Sequence, residues 1–224
     1  MRALTSLVDD DRTGLNRLAE LLQNAARPAE RLDCLAAEGD AAVVSLQVET
    51  RALLGAMAHR TGGVLIDGGW LRLLGTRCAR LPRGLTDWNQ LGQSGGRVPG
   101  ALLVADDAIV GLFALNQGGL LGDPGDVCWL SPQSLEWESL NIGYDGFVEW
   151  ALGKGLDHFY AAWRWPGWEE DVKALPASDA LVFEPPAAVP GSAYGERKRE
   201  ARPVELVYAT HSDTLPRLLR APRG

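Results

Sequence analysis

Three carboxylates are the side chains of this sequence best suited to chemistry. Asp67 precedes two glycines, and Asp106 and Asp107 are adjacent between two apolar runs. Converging carboxylates can act as general acid and base in a hydrolysis, here in a cleft near Trp70 that could also bind a small molecule. A hard cation needs more oxygen ligands than one Asp-Asp pair supplies, so no metal site is predicted. Apolar runs on both sides make a hairpin turn the favoured interpretation of Asp106 and Asp107.

A second pattern, Gly92-Gln-Ser-Gly-Gly96, matches the G-x-S-x-G sequence of hydrolase nucleophiles. Such a serine reacts only on a sharp turn between a buried strand and a helix. Pro99 and Gly100 follow the motif and argue against a helix, so we predict a flexible loop in which Ser94 is not a nucleophile. The three histidines are too dispersed for a metal site, and no cofactor is predicted.

The distribution of charge and tryptophan is more informative than any motif. Residues 123–171 carry ten acidic and two basic residues, a net charge of −8, whereas the rest of the chain carries +1. The same segment contains six of the eight tryptophans. Exposed Trp and Arg beside acidic residues are typical of protein-binding surfaces. The residues predicted to form this surface are Trp163, Arg164, Trp165, Trp168, Glu169, Glu170 and Asp171.

Composition limits the class of protein. With 224 residues and 46% hydrophobic content, the chain can bury one sizeable core. A net charge of −7 argues against a general nucleic-acid binder, and the apolar runs are too short to span a membrane. The N-terminus lacks the apolar core of a secretory signal, and three widely spaced cysteines fit reduced thiols, so a cytoplasmic location is expected.

Residues 61–75 are the stretch around which the predicted sheet is organised. Two apolar runs, 64–66 and 71–74, flank the Asp67-Gly-Gly turn and predict paired strands with a tight connection. Glycine suits such a connection because it adopts positive φ at little cost. Trp70 brings a large ring into this turn, and its indole N–H needs a partner if it is buried.

Short apolar runs with turn residues between them predict an antiparallel meander, and hence an α+β fold with a mostly antiparallel, twisted sheet. The predicted strands are 54–58, 63–66, 71–74, 102–105, 109–115, 127–130 and 136–140.

Helical spacing of apolar residues predicts helices at 13–26 and 144–152, which are expected to pack on one face of the sheet. Their side chains expected in the core are Leu18, Leu22, Phe147 and Val148. Shorter helices are predicted at 40–48, 156–162 and 168–175, and 28–35 fits either helix or strand. Prolines concentrate from Pro166 onward. We therefore predict one α+β domain over 1–183 and a Pro-rich extension over 184–224, loop-rich or partly disordered.

Several of these stretches, in this order, resemble an uncharacterised bacterial family of unknown function, numbered twenty-six twenty-five. The resemblance extends from about residue 43 to 183 and depends on 61–75, 102–107, 111–116, 135–138 and 164–168. More distantly, the order is similar to the SUKH superfamily of bacterial immunity proteins, the Smi/Knr-like domains. That likeness implies a mixed α+β fold and, for many members, neutralisation of nuclease toxins by direct binding.

Two classes of function follow from these patterns. The first is a non-enzymatic binding protein, of immunity type, whose acidic Trp-rich face meets a basic protein such as a toxin or nuclease. The second is a small-molecule binder or hydrolase that uses Asp67, Asp106 and Asp107. The position of these side chains distinguishes the two, since an exposed face favours the first and a deep pocket with converging carboxylates favours the second.

Overall fold

Seven antiparallel strands form the main sheet, and they lie side by side in their order along the chain. The structure, a computed structural model, describes residues 1–93 and 96–209. The strands are β1 (Ala29–Leu32), β2 (Gly63–Ile66), β3 (Leu71–Leu74), β4 (Ala101–Asp107), β5 (Leu112–Asn116), β6 (Asp126–Leu130) and β7 (Trp137–Gly143). The α+β class with a mainly antiparallel sheet is therefore confirmed.

Six α-helices lie wholly within the described residues and accompany the sheet. They are α1 (Thr13–Gln23), α2 (Ala36–Leu46), α3 (Leu53–Arg60), α4 (Tyr144–Leu152), α5 (Gly155–Phe159) and α6 (Trp168–Ala174). α1 packs against α3 and α4, and α4 packs on β6 and β7. As predicted, Leu18, Phe147 and Val148 are buried, whereas Leu22 is only half-buried. Across the described part of the chain, every helix is too short or too polar to cross a membrane.

Two local predictions were wrong. Residues 54–58, predicted as a strand, belong to helix α3. Leu53 and the run from Gly55 to His59 are all buried, so no polar face reveals a helical period in the sequence. Asp106 and Asp107, predicted to form a hairpin turn, are instead the last two residues of strand β4. The chain turns after them, at residues 108–111.

A second, two-stranded sheet follows the helices. β8 (Asp179–Glu184) pairs with β9 (Lys198–Pro203) antiparallel, and residues 204–209 are helical. Leu181 N–H donates to the carbonyl of Ala108 at 2.7 Å, which joins β8 to the turn after β4. β8 therefore runs across the predicted boundary at residue 183, and the division into domain and extension stays a prediction. Residues 210–224 lie outside the described residues.

Candidate functional site

Two stretches that the sequence singled out meet in the structure. Residues 67–69 form a 3-10 turn between β2 and β3, and helix α6 packs against it. Asp67 Oδ2 accepts hydrogen bonds from Nη1 of Arg27 and Nη2 of Arg164, each at 2.5 Å. Asp67 and Arg164 are 97 residues apart in the chain. The turn and the Trp-rich segment thus share one buried carboxylate.

Asp157 completes a ring of alternating charges with these residues. Its two oxygens lie 3.1 Å from Arg27 Nη2 and 3.0 Å from Arg164 Nη1. The side chain of Asp157 is 64% exposed, whereas those of Asp67 and Arg27 are 8% and 6% exposed. Arg27 is also fixed from behind, since its Nε donates to the carbonyl of Gly153 at 2.9 Å. The ring therefore has a buried end at Asp67 and a solvent end at Asp157.

The backbone of the turn is conformationally unusual. Asp67, Gly68 and Gly69 have φ of 50°, 70° and 107°, three consecutive left-handed values. Glycine takes these values readily, but Asp67 does so at a cost that its two arginine partners help to offset. A Cβ added at Gly68 would meet no atom within 4 Å, so the turn presents an open surface.

An aromatic cluster lies beside the turn. The buried ring of Trp70 contacts Tyr160, Trp165 and Trp168, with centroids 5.3, 5.7 and 5.0 Å away. The Arg164 guanidinium lies 4.1 Å from the Trp168 ring centroid, within range of a cation–π interaction. The indole N–H of Trp70 has no hydrogen-bond partner among the described residues. The Trp168 ring is therefore contacted by both Trp70 and Arg164.

Two of the three tryptophans predicted to form an exposed surface are buried. Trp163 and Trp165 are buried, and Trp163 stacks on Tyr194 at 4.2 Å. Trp165 Nε1 donates to Asp171 Oδ2 at 2.7 Å. Trp168 is half-buried and keeps one side open. Alternating residues of the 163–168 stretch face the core because the second sheet covers them, a long-range contact that the sequence does not reveal.

The remaining surface is acidic. Four exposed carboxylates either follow Trp168 in sequence or bind Arg164, which supports its ring, and we name these five residues the Trp168 patch. The four acidic members are Asp157, Glu169, Glu170 and Asp171. Glu169 and Glu170 form no ion pair within the described chain, whereas Asp171 lies 3.6 Å from Arg199 Nη2.

Asp106 lies on one face of the sheet, between two arginines. Its oxygens accept hydrogen bonds from Arg83 Nε and Nη2 at 2.6 and 2.7 Å, and Arg72 Nε lies 2.9 Å away. Burial lowers the pKa of Arg72 to about 10, while Asp106 acts to raise it. Arg72 also donates to the carbonyls of Ala177 and Asp179. All the contacts of this triad are structural.

Asp107 faces the opposite side, as consecutive strand residues do. It accepts hydrogen bonds from the N–H groups of Ile109 and Gly111 at 3.0 and 2.6 Å, and from Tyr160 Oη at 2.7 Å. Burial raises the pKa of Asp107 to about 6 despite these bonds, which act to lower it. Burial, and then Asp107 itself, raise the pKa of Tyr160 well above its ordinary value of 10.

The three carboxylates therefore do not converge. Asp67 belongs to the arginine ring, Asp106 to one face of β4 and Asp107 to the other. None of the three lines the grooves of about 760 and 500 Å³ in the described structure. Among the described residues no group of His, Cys, Asp and Glu could hold a metal ion. Ser94 lies outside the described residues.

The sequence did not reveal which arginines bind these carboxylates. Arg27, Arg72 and Arg83 hold the key carboxylates, yet none of them was predicted as a site residue, although Arg72 lies within residues 61–75. Tyr160 was predicted only as part of a short helix. The one available signal was the high number of arginines relative to lysines, since arginine is the usual partner of buried carboxylates.

Comparison with known proteins gives relatives but no activity. Residues 4–206 match the family described as protein of unknown function DUF2625. The chain is 39% identical to the uncharacterised protein YbfG of Escherichia coli K12, over 83% of this chain and 85% of that one. It is 36% identical to an uncharacterised protein of Haemophilus influenzae Rd, over 83% and 82%. No solved structure gives a significant match.

Proposed function

The chain belongs to the DUF2625 family, and we propose that it is a non-enzymatic protein-binding domain. Its Trp168 patch binds a basic protein, and the binding is of immunity type, in which a basic toxin or nuclease is neutralised by direct contact. The observation that carries this proposal is a half-buried tryptophan, supported by Arg164 and followed directly by the exposed Glu169 and Glu170, which form no ion pair within the described chain.

The patch combines two properties of protein interfaces. Exposed carboxylates of one sign steer an oppositely charged partner and raise the association rate. A tryptophan that is partly open can fill a pocket on the partner and so slow dissociation. Glu169 and Glu170 directly follow Trp168 at the start of α6. The carboxylates that attract the partner and the tryptophan that slows its dissociation therefore lie on one surface.

The scaffold under the patch is preorganised. Arg164 is fixed by Asp67 and Asp157, and its guanidinium supports the Trp168 ring. Trp70 supports the same ring from the core. A side chain that is already ordered loses little conformational entropy when a partner binds, and this favours affinity.

The immunity class rests on the likeness to the SUKH superfamily and on charge. Nucleases need positive charge to hold phosphate, which makes them natural partners for an acidic patch. The proposed setting is the cytoplasm, in agreement with the three free cysteines of the described chain. The hydrolase alternative has no comparable support, since the side chains of Asp67, Asp106 and Asp107 have different hydrogen-bond partners and do not converge.

The test is capture of the partner from the native host, followed by charge reversal. The variant Glu169→Lys/Glu170→Lys should weaken binding of the isolated partner about tenfold or more, mainly through a slower association rate. Trp168→Ala should instead speed dissociation. The matched control is Asp10→Lys/Asp11→Lys, which makes the same charge change at exposed residues of the N-terminal segment.

Equal binding by the control and by the Glu169/Glu170 variant, with no dependence on salt, would show that the patch is not the binding site. Circular dichroism of each variant establishes that the fold is retained.

A further inference from the structure

Strand β7 is the last strand of the main sheet. In the described part of the chain no strand pairs with its outer edge. β7 has seven residues, but its pairing with β6 shifts by a β-bulge between Ser139 and Gly143, where Asn141 has a φ of 55°. Alternate N–H and C=O groups of an edge strand point away from the sheet and can pair with another extended chain. The regular part of this edge, residues 137–139, is therefore the part that can accept an added strand.

The charge around β7 has a single sign. Residues 98–153, which include β4 to β7, contain no Lys or Arg. Glu136 and Glu138 flank Trp137 at the start of β7, and both are exposed. Asp123 and Asp126 lie near the paired start of β6, where Asp126 is opposite Gly143 of β7. None of these four carboxylates forms an ion pair within the described chain.

The acidic charge of this edge disfavours pairing between two copies of β7. Two copies of β7 placed side by side would bring like charges together, which disfavours self-pairing. An extended segment with Lys or Arg at alternate positions would meet Glu136 and Glu138 instead. The β1 edge offers no such selection, because Glu30 and Arg31 have opposite signs there. Charge complementarity thus identifies the occupant as a basic chain.

We propose that the outer edge of β7 binds an extended, basic segment of another protein as an additional strand of the sheet. Backbone hydrogen bonds provide the pairing, and the acidic residues select the charge of the incoming segment. This surface is separate from the Trp168 patch, so it can be tested without knowing the partner that the patch binds.

The experiment uses the full chain and three synthetic peptides of about ten residues. The first alternates Arg and Thr; the second is the same peptide with alternate backbone amides N-methylated; the third has Glu in place of Arg. The N-methylated peptide keeps the charge but cannot complete a ladder of hydrogen bonds. Binding is measured by fluorescence anisotropy, and backbone protection by hydrogen exchange.

We expect the Arg-Thr peptide to bind and to slow exchange of the amides in β7. N-methylation, and separately Glu136→Lys/Glu138→Lys in the protein, should each weaken binding about tenfold or more. The matched variant Asp10→Lys/Asp11→Lys, with the same charge change at exposed residues of the N-terminal segment, should retain binding.

Three results would overturn the proposal. One is equal binding of the N-methylated peptide, which would mean that only charge is recognised. Another is protection of α6 in place of β7, and the third is absence of binding by the Arg-Thr peptide at low salt. Failure of the Trp168 patch to capture a native partner would leave this test unaffected.

Discussion

Asp107 is a buried carboxylate whose ionisation opposes folding. Its pKa is about 6 in the folded protein, against an ordinary value of 3.8. Between these two values the unfolded chain loses its proton while the folded chain keeps it, so unfolding releases a proton. The contribution of Asp107 to stability therefore falls as pH rises from about 4 to 6 and is constant above that range.

The variant Asp107→Asn should remove this pH dependence. The free energy of unfolding of the variant minus that of the wild type should increase between pH 4 and pH 6, by up to about 3 kcal/mol. Urea unfolding at several pH values measures this difference. A difference that does not change with pH would mean that Asp107 keeps an ordinary pKa in the folded protein.

The adjacent Asp106 shows what the sequence could and could not predict at this scale. Two neighbouring carboxylates were recognisable as candidates, but their separation required the strand that contains them. Because β4 continues through both, one faces Arg72 and Arg83 and the other faces Tyr160. These partners come from distant parts of the chain, and no local pattern identifies them.

At the scale of elements, the turn 67–69 depends on its ion pairs. Asp67→Asn keeps the shape of the side chain and tolerates positive φ, but it leaves Arg27 and Arg164 with less compensating charge. We expect a loss of about 2–4 kcal/mol in the free energy of unfolding. The control is Asp157→Asn, which should cost less than about 1 kcal/mol because that carboxylate is exposed. Similar losses for both variants would show that the buried carboxylate of Asp67 stabilises the fold no more than the exposed carboxylate of Asp157.

Element prediction succeeded for a helix with one exposed face and for two short apolar runs bounded by glycines. Helix 144–152 agrees with α4 at both ends, and strands 63–66 and 71–74 agree with β2 and β3. It failed at α3, whose side chains are almost all buried, since a uniformly apolar run of that length fits a strand equally well. β1 lies within residues 28–35, which fitted either a helix or a strand.

At the scale of the whole molecule, the C-terminal region is tied to the main sheet. Val204 and Val207 are buried, and Tyr194 stacks on Trp163. A chain that ends at Phe183 loses these contacts and the pairing of β8 with β9. It should be less stable than a chain that ends at Ala209 by about 3 kcal/mol or more. Equal stability of the two truncated chains would support the predicted extension from residue 184.

The order of the strands has a consequence for synthesis on the ribosome. Because each strand of the main sheet pairs with the one made just before it, the sheet can grow at its free edge as the chain emerges. The Asp67–Arg164 and Arg72–Ala177 contacts, 97 and 105 residues apart, must wait until the later segment has left the exit tunnel. We expect a chain stalled after β7 to hold a formed sheet before Arg164 and Trp168 have been synthesised.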